Sequence, residues 1–487
     1  MEHIDLNQDQ FLQQRSHIER KKLGQYFTGL QIAKFMARLS RIKLSTKNIV
    51  ILDAGAGAGI LGICAAYHAV KMGHNKISLI CYEIDSAILP LLKQHLEETK
   101  ESLEAIDIKF DYEIRVSDFV LSPPTEFFDL CCINPPYFKY SSISPYAKSA
   151  KDLFKGDPNI YALFVARALD RLKPEGEIIF ITPRSFTNGL YFKNFRKYLI
   201  QNSSIDNIHI FKSRRDAFKN TEALQENVIL KLTKSGTQKN ITVTSSYGVD
   251  DLELPEINIY PSKLIIDKNT SELFIRIPEN KKDADILELV ERWPNTFKDL
   301  DYFISTGPVV EYRAGDFTKD LENIESIPLI NAHHISNLEV KWTGAHPKDR
   351  NFNLINGFSK WVVDNNYYVV IRRISSKDQK KRLTTAVYIP SNSKQKYVAF
   401  ENHINFIGSK SRKMSKEEAY GLVLILRSDM YDTYFRNISG NTQVNATEIK
   451  TLKLPSLDLI KKIGKCWIDN KIKEKNIDEI LKDTLRK

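Results

Sequence analysis

The first half of the chain alternates short apolar, β-branched runs with longer stretches of helical period. Runs at 48–53 (NIVILD), 77–83 (ISLICYE), 108–114 (IKFDYEI), 127–133 (FFDLCCI), 176–182 (GEIIFIT), 205–211 (IDNIHIF) and 227–233 (NVILKLT) predict strands, while 60–71 and 85–100 predict helices between them. Parallel strands need crossover helices, so this alternation predicts an α/β fold with a mostly parallel, doubly wound sheet and helices on both faces. Over 234–285 the pattern breaks into polar segments (TKSGTQKN, IDKNTSE, PENKKDAD). The expected organisation is therefore a domain over 1–240, a linker or domain-edge segment over 241–285, and a second domain over 286–487. That second domain reads as α+β. Short strands such as 366–373 (NYYVVIRR) and 396–403 (KYVAFENH) sit between basic loops, and the tail sets Ile477, Ile480, Leu481 and Leu485 on one helical face.

Composition narrows the class. A chain of 487 residues with 42% hydrophobic and 27% charged positions is an ordinary globular mixture, too long for one core. Its five cysteines (64, 81, 131, 132 and 466) form no Cys-x-x-Cys pair, which fits a reducing cytoplasm. The first residues contain no apolar core of a secretion signal, and no window reaches about 18 apolar residues, so no membrane role is expected. The net charge is +11, and the stretch 371–416 holds twelve Lys and Arg against Asp378 and Glu401. Tyr397, Phe400, Asn402, Asn405 and Phe406 are interleaved there. Such a surface suits phosphate neutralisation combined with contact to base edges, with Arg372, Arg373, Lys381 and Arg382 as candidate contacts.

The chemistry-bearing segments follow the strands. ILDAGAGAG (51–59) ends a strand in glycines that allow a tight turn and expose amides at a helix N-terminus, a natural seat for a nucleotide-bearing cofactor. Gly57, Gly59 and Gly62 also satisfy G-x-G-x-x-G, with Glu83 at the right distance to grip ribose hydroxyls, so NAD is a rival occupant. Asp53, placed before Gly55, suits a cofactor with an ammonium group, such as S-adenosylmethionine. Asp118 and Phe119 lie past the third strand, where a carboxylate can accept from an adenine amine and a ring can pack on the base.

After the fourth strand comes Asn134-Pro135-Pro136-Tyr137-Phe138. Two prolines remove two backbone donors and stiffen the chain, leaving carbonyls fixed beside the Asn134 amide. The segment calls for a planar NH₂ group. Asn134 Oδ1 and the Pro135 carbonyl can accept its two hydrogens, and Tyr137 offers a face for the ring that bears it. His333-His334 and Cys131-Cys132 are not spaced for an ion, and no metal is expected.

In order and wording, Gly24-Gln25-Tyr26-Phe27-Thr28, the 53–59 loop, Glu83, Asp118-Phe119 and Asn134-Pro135-Pro136-Tyr137 resemble the gamma-class, Taq-type N6-adenine DNA methyltransferases of restriction-modification systems. The likeness covers about residues 20–235. It implies a Rossmann-like S-adenosylmethionine-dependent methyltransferase sheet and, more loosely, a target-recognition domain in the second half. Carried over by position, the backbone around Tyr26, Phe27, Thr28, Ala54 and Gly55 surrounds the methionine moiety, Gly57 belongs to the same cofactor-binding loop, Glu83 holds the ribose, and Asp118 and Phe119 hold the adenine. Asn134, Pro135 and Pro136 frame the target amine, Tyr137 stacks on the flipped base, and Phe218 lies against it; Phe138 is a further candidate substrate contact and Lys139 a candidate phosphate contact. The implied partner is double-stranded DNA in a bacterial or archaeal cytoplasm, with a cognate endonuclease encoded separately. An RNA adenine or a protein glutamine amide presents the same planar amine and is the alternative substrate.

Overall fold

The computed structural model describes residues 2–13, 27–42, 48–154, 159–213, 226–268, 270–319, 321, 324–375, 379–390, 395–440 and 442–486. The chain forms two compact units, Met1–Glu279 and Asn280–Lys487.

The first unit is built on a nine-stranded sheet. Its strands are β1 (Asn48–Ala54), β2 (Lys76–Tyr82), β3 (Lys109–Arg115), β4 (Phe128–Ile133), β5 (Leu172–Pro183), β6 (Ser203–Phe211), β7 (Asn227–Lys234), β8 (Ile241–Ser246) and β9 (Glu256–Tyr260). The order is β3-β2-β1-β4-β5-β7-β6-β8-β9. From β3 to β5 all neighbours are parallel, and β7 enters antiparallel between β5 and β6. β1 and β4 are covered on both faces, which is why they read as unbroken apolar runs rather than alternating ones. Helices α1 (Glu2–Gln13), α2 (Leu30–Arg38), α3 (Ile60–Lys71), α4 (Leu89–Glu104), α5 (Ile160–Asp170) and α6 (Lys193–Asn202) accompany the sheet. α3 carries apolar residues almost all round because it is buried almost all round.

The chain runs from β1 outward to β3, then returns to place β4 on the other side of β1. Loops after β1 and β4 therefore diverge, opening a crevice at the carboxyl ends of the strands, where open α/β sheets bind ligands.

The segment 241–285, expected as a linker or domain edge, contributes β8 and β9 to this sheet. ITVTSS does not read as a buried strand because its hydroxyls take the place of apolar groups. The buried His209 ring on β6 bonds Thr244 Oγ1 at 3.0 Å and Ser246 Oγ at 3.2 Å, so these polar side chains are satisfied inside the sheet layer.

The second unit contains two four-stranded sheets. One is antiparallel and joins Tyr302–Thr306, Ile404–Ser409, Tyr368–Arg372 and Thr385–Tyr388. The other joins Arg350–Asn353, Ser326–Ile330, Tyr397–Phe400 and Val362–Asp364, with one parallel pair at its centre. Helices Lys416–Arg427 and Leu457–Ile468 pack closely, with Gly421 against the Ile460 carbonyl and Gly464 against that of Glu417. Among the described residues no helix is long and apolar enough to cross a membrane.

Candidate functional site

The loop after β1 is held from β2. Gly55 N and Ala56 N both donate to the Tyr82 carbonyl at 2.9 Å. Gly57 has φ +56°, and a Cβ there would stand 2.8 Å from the Phe27 ring, so both conformation and space demand glycine. Its amide donates to Glu83 Oε2 at 2.8 Å, while Glu83 Oε1 accepts from Ile84 N and Asp85 N, each at 2.8 Å. Burial raises the Glu83 pKa and these amides partly counter it. The carboxylate is thus fixed at the tip of β2, facing the crevice.

Asn134 follows β4. Its Nδ2 donates to Thr28 Oγ1 at 3.0 Å, and its Oδ1 accepts from the Tyr137 hydroxyl at 2.7 Å. That hydroxyl lies 3.2 Å from the Ile181 carbonyl, and the Tyr137 ring meets Tyr161 edge-on at 6.0 Å. Asp118 Oδ1 accepts from Val120 N and Leu121 N, and its Oδ2 from the Tyr146 hydroxyl at 2.7 Å. The Phe119 ring packs between Tyr82 and Phe164, at 5.2 and 5.5 Å.

These pieces line one cleft at the carboxyl ends of the strands. Of the residues singled out in the sequence, Phe27, Thr28, Gly55, Gly57, Glu83, Asp118, Phe119, Asn134 and Pro136 line it. Ala54 and Pro135 are buried beside it, and Tyr137 stands behind Asn134. Phe138 packs on Tyr146 at 6.0 Å, and Lys139 is exposed. Tyr26 and Phe218 lie outside the described residues. Gln8, Tyr82, Ser117 and Phe164 also line the cleft and carry no sequence motif of their own. Tyr82 has a usable signal, since it ends the strand that delivers Glu83; Gln8 and Phe164 lie on helices that give none.

Two expectations need correction. Asp53 does not line the cleft. It is 0% exposed under the loop, its Oδ2 accepts from Gly62 N at 2.8 Å, and burial pushes its carboxyl up to about 7. Arg382 is no phosphate contact either: at 0% exposure its guanidinium lies over Phe435 and donates to the Ser439 carbonyl. Arg372 and Arg373 each donate to a backbone carbonyl, of Ala332 and Asn402, and Lys381 pairs with Asp429. His334 is held between Asn331 N and the Asp349 carboxylate, which His333 also meets.

A sheet of this order, with its crevice at the reversal point between glycine loop and Asn-Pro-Pro-Tyr, is that of a Rossmann-like S-adenosylmethionine-dependent methyltransferase. The Eco57I restriction-modification methylase family matches residues 27–218. The type II methyltransferase M.BsuBI of Bacillus subtilis is 34% identical over 485 residues, covering 96% of this chain and 94% of that protein. The type II methyltransferase M.PstI of Providencia stuartii is 32% identical over 478 residues, with the same coverage of 96% and 94%. The chain belongs to the type II methyltransferases of restriction-modification systems and is a DNA methyltransferase of that kind. The solved type IIL restriction-modification enzyme MmeI, in complex with DNA, shares the fold with a TM-score of 0.53 at 11% identity, over 87% of this chain and 65% of its own. The nicotinamide reading of the glycine loop falls with this membership.

Proposed function

We propose that the chain methylates adenine N6 in duplex DNA as a gamma-class, Taq-type enzyme, with S-adenosylmethionine as donor. In this reading Met1–Glu279 carries the chemistry, Asn280–Lys487 reads the sequence, and the cognate endonuclease is encoded separately. The observation that carries the proposal is the position of Asn134. It lines the same cleft as Glu83 and the glycine loop, and its Nδ2 is tied to Thr28, which leaves Oδ1 as the acceptor.

The cleft fits the cofactor on its own chemistry. Glu83 offers a fixed carboxylate to ribose hydroxyls, and Asp118 offers an acceptor to the adenine beside the apolar wall to which Phe119 belongs. When bound there, S-adenosylmethionine supplies a methyl on a positively charged sulfur, open to direct displacement. The chain's residues do the rest. Asn134 Oδ1 and the Pro135 carbonyl accept the two hydrogens of the target amine, drawing the nitrogen lone pair out of conjugation. Tyr137 supports the ring of the extruded base. No side-chain base is required, since the amine loses its proton after becoming cationic, and alignment with pre-set acceptors supplies the rate.

Single-molecule sequencing of DNA from cells expressing the chain tests this directly, with N6-methyladenine expected at one short motif. The purified protein is expected to methylate duplex DNA and not structured RNA or a glutamine peptide. Asn134→Ala should lose turnover by about 10³-fold, in line with removal of a pre-set polar group, while DNA binding is kept. Methylcytosine in place of methyladenine refutes the proposal.

A further inference from the structure

Among the polar side chains that line the cleft outside every motif, one has a buried oxygen without a partner among the described residues. Gln8, on α1, is 2% exposed and lines the cleft. Its Nε2 donates to the Thr28 carbonyl at 3.1 Å, which fixes the amide. Its Oε1 is buried and has no hydrogen-bond partner among the described residues. No other side-chain oxygen lining the cleft is both buried and unpartnered among those residues. A buried carbonyl oxygen without a donor is unfavourable, and it is relieved when a donor enters.

The helix that carries Gln8 is anchored by the residues just before it. Ile4 is buried in the core of the unit, Asp5 Oδ1 accepts from Leu30 N at 3.1 Å, and Asn7 Nδ2 meets His95 Nε2 at 3.3 Å. The placement of Oε1 is thus set by the fold. Gln8 touches Thr28, and Thr28 touches Asn134, so Gln8 is linked through one residue to the group that captures the amine.

The proposed cofactor brings three kinds of donor. Its adenine amine falls to Asp118 and its ribose hydroxyls to Glu83, which leaves the α-ammonium of the methionine portion. The acceptor that the sequence suggested for it, Asp53, is shut behind the loop. We propose that Gln8 Oε1 accepts from that ammonium, making α1 a part of the cofactor site. This rests on the S-adenosylmethionine reading above.

The test is calorimetric binding to the full-length protein without DNA, using two probes. S-adenosylhomocysteine carries the ammonium; 5′-methylthioadenosine lacks the amino-acid portion. Gln8→Met keeps length and removes both polar atoms. It should weaken S-adenosylhomocysteine by about 10- to 100-fold, the worth of a hydrogen bond to a charged group, and 5′-methylthioadenosine by less than about threefold. Gln8→Glu retains an acceptor and should bind S-adenosylhomocysteine within about fivefold of the unaltered chain. Equal losses for both probes, no loss for either, or a loss in Gln8→Glu as large as in Gln8→Met would overturn the assignment. Failure of the unaltered protein to bind S-adenosylhomocysteine would instead remove the cofactor reading, and this inference with it.

Discussion

The hydroxyl of Tyr137 donates to Asn134 Oδ1 at 2.7 Å, three positions along the same proline-stiffened segment. The oxygen proposed to capture the target amine is therefore already loaded, and loaded by the residue proposed to stack on the target ring. Entry of a base exchanges one O–H donor for an N–H donor at a single acceptor. Exchange of this kind keeps the amide satisfied in both states and avoids a buried unpaired oxygen in either.

Tyr137→Phe removes that competitor and keeps the ring. A net hydrogen bond is worth about 1 kcal/mol, so the KM for duplex DNA should fall by about fivefold. Tyr137→Ala loses the stacking face as well, worth about 1–3 kcal/mol per base, and should raise KM by about fivefold or more relative to Tyr137→Phe. Steady-state methylation of one oligonucleotide reads both. A Phe variant with unaltered KM would show that the hydroxyl is no competitor.

Lys231 and Glu177 form a buried ion pair at 2.6 Å, on neighbouring strands β7 and β5. Glu177 also accepts from Ser40 Oγ at 2.8 Å and Arg41 N at 2.9 Å, tying the segment after α2 to the sheet. Lys231→Met leaves a buried carboxylate without its counter-ion, a change that costs about 3–5 kcal/mol. Urea unfolding should show that loss, and adding Glu177→Gln should recover part of it. Equal losses in the single and double variants would mean that the carboxylate is not the strained partner.

Much of this was legible because chemistry and strand ends coincide in a parallel sheet. Seven apolar runs marked seven strands, and the residues after the first four hold most of the cleft lining. Glu83, Asp118 and Asn134 were found because each follows a run whose end is visible. What was hidden has a physical reason in each case. β8 pairs hydroxyls with a buried histidine instead of using apolar side chains. Gln8 lies far from any strand end and reaches the cleft only through the docking of α1. Arg382 looked like its basic neighbours, and only packing on Phe435 separates a structural guanidinium from a surface one. A run of cations states charge, not direction.

That difference can be measured. Lys380 is exposed, while Arg382 is sealed and its backbone N donates to Asp432 Oδ1 at 2.6 Å. If the basic stretch neutralises phosphates, DNA affinity falls steeply with salt, each contact contributing roughly 0.9 to the log–log slope. Arg382→Ala should lower the thermal midpoint and leave the slope of the folded fraction unchanged. Lys380→Ala should lower the slope by up to about one and leave the midpoint unchanged. Fluorescence anisotropy across a salt series reads the slope, and the reverse pattern would move the DNA contact to Arg382.

Asp53 makes the chain's stability depend on pH in a direction opposite to that of most carboxylates. Its oxygen Oδ2 holds Gly62 N, and a Cβ on Gly62 would lie 3.0 Å from that oxygen, so glycine is what lets the amide approach. Burial dominates over this bond, and the nearby Glu83 adds to it, raising the carboxyl from 3.8 to about 7. A carboxyl whose pKa is raised on folding favours the native state while it is protonated. That contribution is complete below the unfolded value and is lost as pH climbs from about 4 through about 7. Above that range a buried charge is carried at a cost of a few kcal/mol. An asparagine side chain in the same place can still accept from Gly62 N and carries no charge at any pH. Asp53→Asn should therefore match the unaltered protein near pH 4 and exceed it progressively up to pH 8, where its thermal midpoint should stand several degrees higher. The comparison is made without cofactor, so that no bound cation alters the titration. A midpoint difference that stays constant from pH 4 to pH 8 would mean that Asp53 is already ionised throughout, and that the loop rests on a charge rather than on a neutral acid.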